Sequence, residues 1–173
     1  MKIMAVSDIH GSIGAARKII RVMEEQGADR LLILGDILYH GPRNDLPSDY
    51  APKEVIAALN GIKEKILAVR GNCDTEVDQM VLEFPIMADY MLIQSEDLTV
   101  FATHGHKINR DKDMPYLTEG SVFLYGHTHV TEDVTENGIR FMNPGSLPIP
   151  KAGSVPSYIM IENGRAELSA FDA

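Results

Sequence analysis

Lys2-Ile3-Met4-Ala5-Val6-Ser7-Asp8-Ile9-His10-Gly11 decides how the rest of the chain reads. An apolar run ends abruptly in a carboxylate and an imidazole two positions apart, and a glycine closes the stretch. A run this short and this continuous reads as a strand buried on both faces, the habit of a parallel sheet. Residues 12–26 follow with Ile13, Ala16, Ile19, Ile20 and Met23 at helical spacing, Ser12 placed to cap the start and Gly27 the end. Residues 30–34 form a second apolar strand, and a Gly- and Pro-rich loop follows from 35 to 51. Pro52 suits the first turn of a helix running to about Asn60, and residues 65–69 form a third strand. This alternation means parallel strands with right-handed crossovers.

The second half reads differently. Residues 74–83 suit a helix with Asp74 as its cap. Residues 90–94, 98–103, 122–125, 130–135, 139–142, 158–161 and 166–170 read as strands. Asn137-Gly138 and Asn163-Gly164 lie between strand-like runs and signal hairpins. With no linker between the halves, residues 1–173 read as a single domain containing two packed sheets.

Composition narrows the function. A chain of 173 residues makes about one domain, and 45% hydrophobic with 24% charged residues is ordinary globular composition, which excludes wholesale disorder. Lys plus Arg is 16 and Asp plus Glu is 25, a net charge of −9. Such a chain repels a polyphosphate backbone and shows no basic stripe, so no stable nucleic-acid partner is expected. The single cysteine, Cys73, cannot form an intramolecular disulfide. That fits a reducing compartment, and the cytoplasm is the expected location. No stretch of about 18 apolar residues and no signal-peptide pattern occurs, so no membrane partner is expected.

Five polar clusters interrupt the apolar pattern, each just after a predicted strand: Asp8-Ile9-His10-Gly11, Gly35-Asp36, Gly71-Asn72-Cys73-Asp74, Thr103-His104-Gly105-His106 and Gly126-His127-Thr128-His129. Ligands bind at strand C-terminal ends in open α/β sheets. In extended backbone, residues i and i+2 point the same way, which would align Asp8 with His10 and His127 with His129. Carboxylate oxygen and neutral imidazole nitrogen are standard ligands for first-row divalent metals. Each cluster alone reads as a turn, a cap, a core histidine or a polar strand face. All five in one chain, at strand ends, point to a metal site.

In this order, D-x-H, G-D, G-N-x-D, H-G-H and G-H-T-H resemble the calcineurin-like metallophosphoesterases. Gly35-Asp36-Ile37-Leu38-Tyr39-His40-Gly41-Pro42-Arg43-Asn44 and Arg70-Gly71-Asn72-Cys73-Asp74 are similar, within that family, to the bacterial YfcE-type phosphodiesterases. The resemblance spans residues 1–150. It implies an α/β fold, a four-layer αββα sandwich of two mixed β-sheets flanked by helices, with a dinuclear metal centre where the loops of the sheets meet. It makes Asp8, His10, Asp36 and His129 ligands of one metal and Asp36, Asn72, His104 and His127 ligands of the other, with Asp36 bridging. Two divalent cations against two carboxylates leave the bare site at +2, attractive to a phosphodiester anion. The implied cofactors are two divalent ions, with Mn²⁺ favoured by the oxygen and amide ligands and Fe, Co and Zn as alternatives.

The implied reaction is hydrolysis of small phosphodiesters by in-line attack of a hydroxide bridging the two metals. Many family members carry histidine at the third position of Gly-Asn-x-Asp, where this chain has Cys73. A thiol is a poorer acid than imidazolium near neutral pH, so His40 and His106 become the alternative proton donors. Cys73 as a covalent nucleophile lacks an assignable base, and a buried small hydrophobe is its plainer role. Arg43 is suited to grip a phosphate oxygen, although a solvated loop arginine is its plain reading. Asn143-Pro144-Gly145-Ser146 reads as a structural turn. A phosphomonoesterase would want more cations near the metals than Arg43 and Lys107 offer. A catalytically silent protein-binding scaffold would show degenerate ligands, and here all seven are present. The hairpins leave sheet edges free, so a homo-oligomer, dimer or tetramer, is expected.

Overall fold

The first apolar run is a strand, β1 (Ile3–Val6), buried on both faces. Met4 and Val6 pack into one core cluster and Ile3 and Ala5 into another, which is why the run does not alternate with polar residues. The computed structural model describes residues 1–172. After β1 come α1 (Ile13–Glu25), β2 (Arg30–Ile33), α2 (Pro52–Asn60), a 3-10 turn (Lys63–Lys65), β3 (Ile66–Ala68) and α3 (Glu76–Val81). Seven strands follow: β4 (Tyr90–Ser95), β5 (Leu98–Thr103), β6 (Val122–Leu124), β7 (Glu132–Glu136), β8 (Ile139–Asn143), β9 (Ser157–Glu162) and β10 (Arg165–Ala170).

The strands form two mixed five-stranded sheets. The first runs β10-β9-β1-β2-β3, with β1, β2 and β3 parallel and the C-terminal hairpin antiparallel against β1. The second runs β4-β5-β6-β8-β7, with β5, β6 and β8 parallel and an antiparallel strand on each edge. Ile3, Ala5, Leu32 and Leu34 of the first sheet meet Val100, Ala102, Leu124 and Met142 of the second in the core between them. Helices α1 and α2 cover the outer face of the first sheet through Ala16, Ile19, Met23, Val55 and Leu59. Among the described residues, no helix covers the outer face of the second sheet. Phe101, Phe123 and Phe141 are covered there by Ile108, Met114 and Leu117 from the long connection between β5 and β6.

Ser12 caps α1, its hydroxyl accepting the Ala15 amide at 3.1 Å. Asn137 and Asn163 both have φ of 51°, each followed by a glycine with positive φ, the backbone that a two-residue hairpin turn requires. Two expectations need correction. Strand β7 starts at Glu132, not at Val130. Residues 130 and 131 are diverted from the ladder, since the Val130 amide donates to Thr128 Oγ1 and the Thr131 amide to Ser154 Oγ.

Asp74 is not the cap of α3 either. That helix begins after Thr75, whose amide and hydroxyl both donate to the Asp78 carboxylate. Asp74 is buried and accepts the amides of Asp36 (2.8 Å), Ile37 (2.9 Å) and Gly71 (2.7 Å), tying the loop after β2 to the loop after β3. Asp74→Ala strands three buried amides and should cost about 3 kcal/mol or more. A lowered urea midpoint would show it.

Candidate metal centre

β1, β2 and β3 are parallel, as are β5 and β6, so each set delivers its C-terminal ends to a common edge. The two edges meet. His104, following β5, places Nδ1 2.6 Å from the Leu34 carbonyl at the end of β2. The His127 amide, following β6, donates to Asp8 Oδ2 at 2.9 Å. All five sequence clusters lie along this junction.

The expected extended geometry of Asp8 with His10 and His127 with His129 does not hold. All four residues, and Asp36, have positive φ, between 47° and 66°. The left-handed backbone lets the Asp8, His10 and Gly11 amides bond the carbonyls of Gly35, Asp36 and Ile37 at 2.9–3.1 Å. Each such residue stores about 1–3 kcal/mol of strain, and clustering of this kind marks functional sites.

Each carboxylate commits one oxygen to the fold and presents the other. Asp8 Oδ2 accepts the Ser7 hydroxyl (2.6 Å) and the His127 amide, while Oδ1 is buried without a hydrogen-bond partner. Asp8 Oδ1 faces His129 Nε2 at 3.2 Å and His10 Nε2 at 3.4 Å. Asp36 Oδ1 accepts the Cys73 amide at 2.8 Å, and Oδ2 lies between His104 Nε2 (3.5 Å) and His10 Nε2 (3.7 Å). The backbone must come close to permit this. A Cβ on Gly126 would overlap Ser7 Oγ and stand 2.8 Å from Asp8 Oδ2.

Three imidazoles are oriented by main-chain carbonyls: His10 Nδ1 on Tyr39 (2.7 Å), His104 Nδ1 on Leu34 and His129 Nδ1 on Ile149 (3.0 Å). A carbonyl accepts only, so each Nδ1 carries a hydrogen, and in the neutral ring each Nε2 presents a lone pair. His10 Nε2 and His129 Nε2 then oppose each other at 3.1 Å, and His104 Nε2 opposes Asn72 Oδ1 at 3.1 Å. Converging imidazole nitrogens, with a bare buried carboxylate oxygen among them, suit a positive charge, either protons on the rings or a metal ion that replaces them. Bonds of about 2.1 Å set neighbouring ligand atoms about 3.0–3.4 Å apart, close to the spacings here. Asp8, His10 and His129 form one group, and Asp8, Asp36 and His104 another, with donor atoms in each within 4.8 Å of one another.

The remaining candidates sit around this core. Asn72 reaches His104 as described. The His127 ring is half-buried, its centroid 5.1 Å from that of His104. Cys73 Sγ groups with His10 and Asp36 within 4.8 Å, but burial first, then the Asp36 carboxylate, push its thiol far up, so it stays protonated. His106 packs edge-on to His104 with its Nδ1 unpartnered, and burial and the His104 charge push its pKa down to about 4. His40 packs edge-on against the Tyr39 and Tyr50 rings.

Arg43 lines a cavity of about 340 Å³ over the ligands, with Asp36, Asn44, Asn72, His127 and His129. The second cation there is Lys151, which the sequence did not single out. Lys107 instead pairs with Asp89 at 2.7 Å. Asn143 also does more than turn the chain. It donates to the Gly126 carbonyl (2.9 Å) and Thr128 Oγ1 (3.0 Å), while Ser146 Oγ donates to the Asp8 carbonyl (2.7 Å).

The family model of the calcineurin-like phosphoesterase superfamily domain matches residues 1–165. The chain belongs to this superfamily. It is 47% identical over 163 residues to phosphodiesterase YfcE of Escherichia coli strain K12, covering 94% of this chain and 88% of that protein. The solved structure of E. coli Yfce, described as a phosphoesterase, superposes with a TM-score of 0.91 at 42% identity, covering 99% of this chain and all of that one. The vacuolar protein sorting 29 structure from Cryptosporidium parvum shares the fold alone, with a TM-score of 0.60 at 16% identity over 97% of this chain and 95% of that one.

Burial disfavours charge on His10 and His104. The Asp8 carboxylate beside His10 and the Asp36 carboxylate beside His104 outweigh it and raise both, His104 to about 9. Below those values the metal-free pocket holds protons that an incoming cation must displace. Mn²⁺ titrated into chelator-stripped protein should release protons, and should bind at least about tenfold more weakly near pH 6 than near pH 8. Calorimetry in two buffers of different ionisation heat measures both. Gly126→Ala should push Asp8 out of place, costing about 1–3 kcal/mol of stability and weakening Mn²⁺ binding in the same titration.

Proposed function

We propose that the chain hydrolyses small phosphodiesters with the help of two divalent cations, Mn²⁺ foremost. The observation that carries this reading is the pair of buried carboxylate oxygens, Asp8 Oδ1 and Asp36 Oδ2, on which the Nε2 atoms of His10, His104 and His129 converge within 3.2–3.7 Å. Asp8, His10, Asp36 and His129 would hold one ion, and Asp36, Asn72, His104 and His127 the other. Similarity to a relative named phosphodiesterase over nearly the whole chain supports the substrate class. When bound, divalent cations acidify water and offset charge on phosphoryl oxygens.

The chain's own contribution is positioning. Main-chain carbonyls fix three imidazoles, and main-chain amides fix both carboxylates, so the donor set is in place before substrate arrives. Arg43, at the cavity wall, suits the oxygens of a phosphoryl group. Cys73 and His106 contribute little acidity, the one a thiol with a raised pKa and the other an imidazole left neutral. Leaving groups that depart as stable anions therefore suit this site best.

Chelator-stripped protein should cleave bis(p-nitrophenyl) phosphate only after Mn²⁺ is restored, and should prefer it to the monoester p-nitrophenyl phosphate. Loss of metal dependence would end the reading. Asp36→Asn should reduce turnover by about 100-fold or more, beyond the loss in His129→Ala, because in the proposed assignment Asp36 would serve both ions and His129 only one. Cys73→Ser should keep substantial turnover. Complete loss with metal content and fold intact would make the thiol a reactant.

A further inference from the structure

Arg43 and Lys151 come from distant parts of the chain and meet at one cavity, the one floored by Asp36, Asn72, His127 and His129. They are joined across its mouth. Lys151 Nζ donates to Asn44 Oδ1 at 2.9 Å, and Asn44 Nδ2 donates to the His40 carbonyl at 2.8 Å, so the lysine is tied to the loop that carries Arg43. At its base, the Lys151 amide bonds the carbonyl of His129, a ligand candidate.

Neither cation makes an ion pair among the described residues; other bases are unpaired too, but these two alone among them line the cavity over the ligand cluster. Carboxylates are not scarce, since acids outnumber bases 25 to 16. Two cations left unpaired at one mouth of an acidic chain are complementary to an anion that arrives from solution. The scissile group of a simple diester carries one negative charge, and two divalent cations already meet it. Arg43 and Lys151 therefore ask for a second anionic group beside the first.

Building on the phosphodiesterase reading, we propose that the natural substrate is a diphosphate diester, two organic groups joined through a P–O–P anhydride. Arg43 and Lys151 bind its outer phosphate. Water adds its oxygen to the phosphorus over the ligand cluster, the bridging P–O bond breaks, and its electron pair leaves on the outer phosphate. Two phosphate monoesters result, and two protons pass to solvent as they ionise. Such a leaving group departs as an anion and calls for cations rather than for a proton donor.

The test uses Mn²⁺-loaded full-length chain and two uncleaved probes measured by calorimetry. One is the P,P′-diphenyl ester of methylenebisphosphonic acid, with two charges. The other is diphenyl phosphate, with one. The doubly charged probe should bind at least about tenfold more tightly, and Lys151→Gln and Arg43→Gln should each shrink that ratio by about threefold or more. Phosphorus NMR should show P,P′-diphenyl diphosphate converted to phenyl phosphate alone. Equal affinities, or a ratio indifferent to both substitutions, would overturn the diphosphate assignment and leave the phosphodiesterase reading standing. Tighter binding of the monoester phenyl phosphate than of the bisphosphonate ester would overturn it in favour of a monoester substrate. Failure of every probe to bind would reject both readings.

Discussion

Two buried carboxylates, each held to the main chain by one oxygen and bare at the other, set the terms for the rest of this structure. Asp8 Oδ1 has no hydrogen-bond partner, and Asp36 Oδ2 has only the Nε2 atoms of His10 and His104 turned toward it. Unpartnered charge at such depth is tolerated only where something compensates. The histidines lean in from both sheets, glycines clear space for them, and Asp74 gathers three amides to keep two of the loops in register. The arrangement makes sense as a socket for positive charge and as little else.

The fold explains how one socket can draw on so many parts of the chain. Parallel strands deliver their C-terminal ends to one edge, and packing two sheets face to face sets two such edges side by side. Left-handed backbone at five of the ligand candidates then bends each loop inward immediately after its strand ends. The antiparallel hairpins, by contrast, contribute no ligand. They complete the sheets and brace the loops, as Asn143 and Ser146 do beneath His127 and Asp8.

Much of this was legible from residues alone, because apolar runs broken by Asp, His and Gly carry both a strand and its end. The two Asn-Gly turns, the Ser12 cap and the seven ligand candidates all stand out locally. What sequence could not give were contacts made across space. Asp74 sits where a helix cap would sit, and only the fold shows that its acceptors serve amides some 37 residues away. Asp8 with His10 looked like an extended pair, since nothing local announces positive φ on a non-glycine residue. Lys151 carries no motif at all, and its relevance rests on the hydrogen bond to Asn44, 107 residues distant. Lys107 looked equally eligible until Asp89 proved to hold it.

The pairing of β1 with β9 fixes an order of events during synthesis. Ile3 lies opposite Ile161, so the strand that leads to Asp8 gains its second neighbour only after synthesis has passed residue 161. His129 likewise depends on the carbonyl of Ile149 for its orientation. Contacts so distant in sequence close late. A nascent chain therefore presents scattered aspartates and histidines rather than a finished socket, and metal capture becomes a property of the completed molecule.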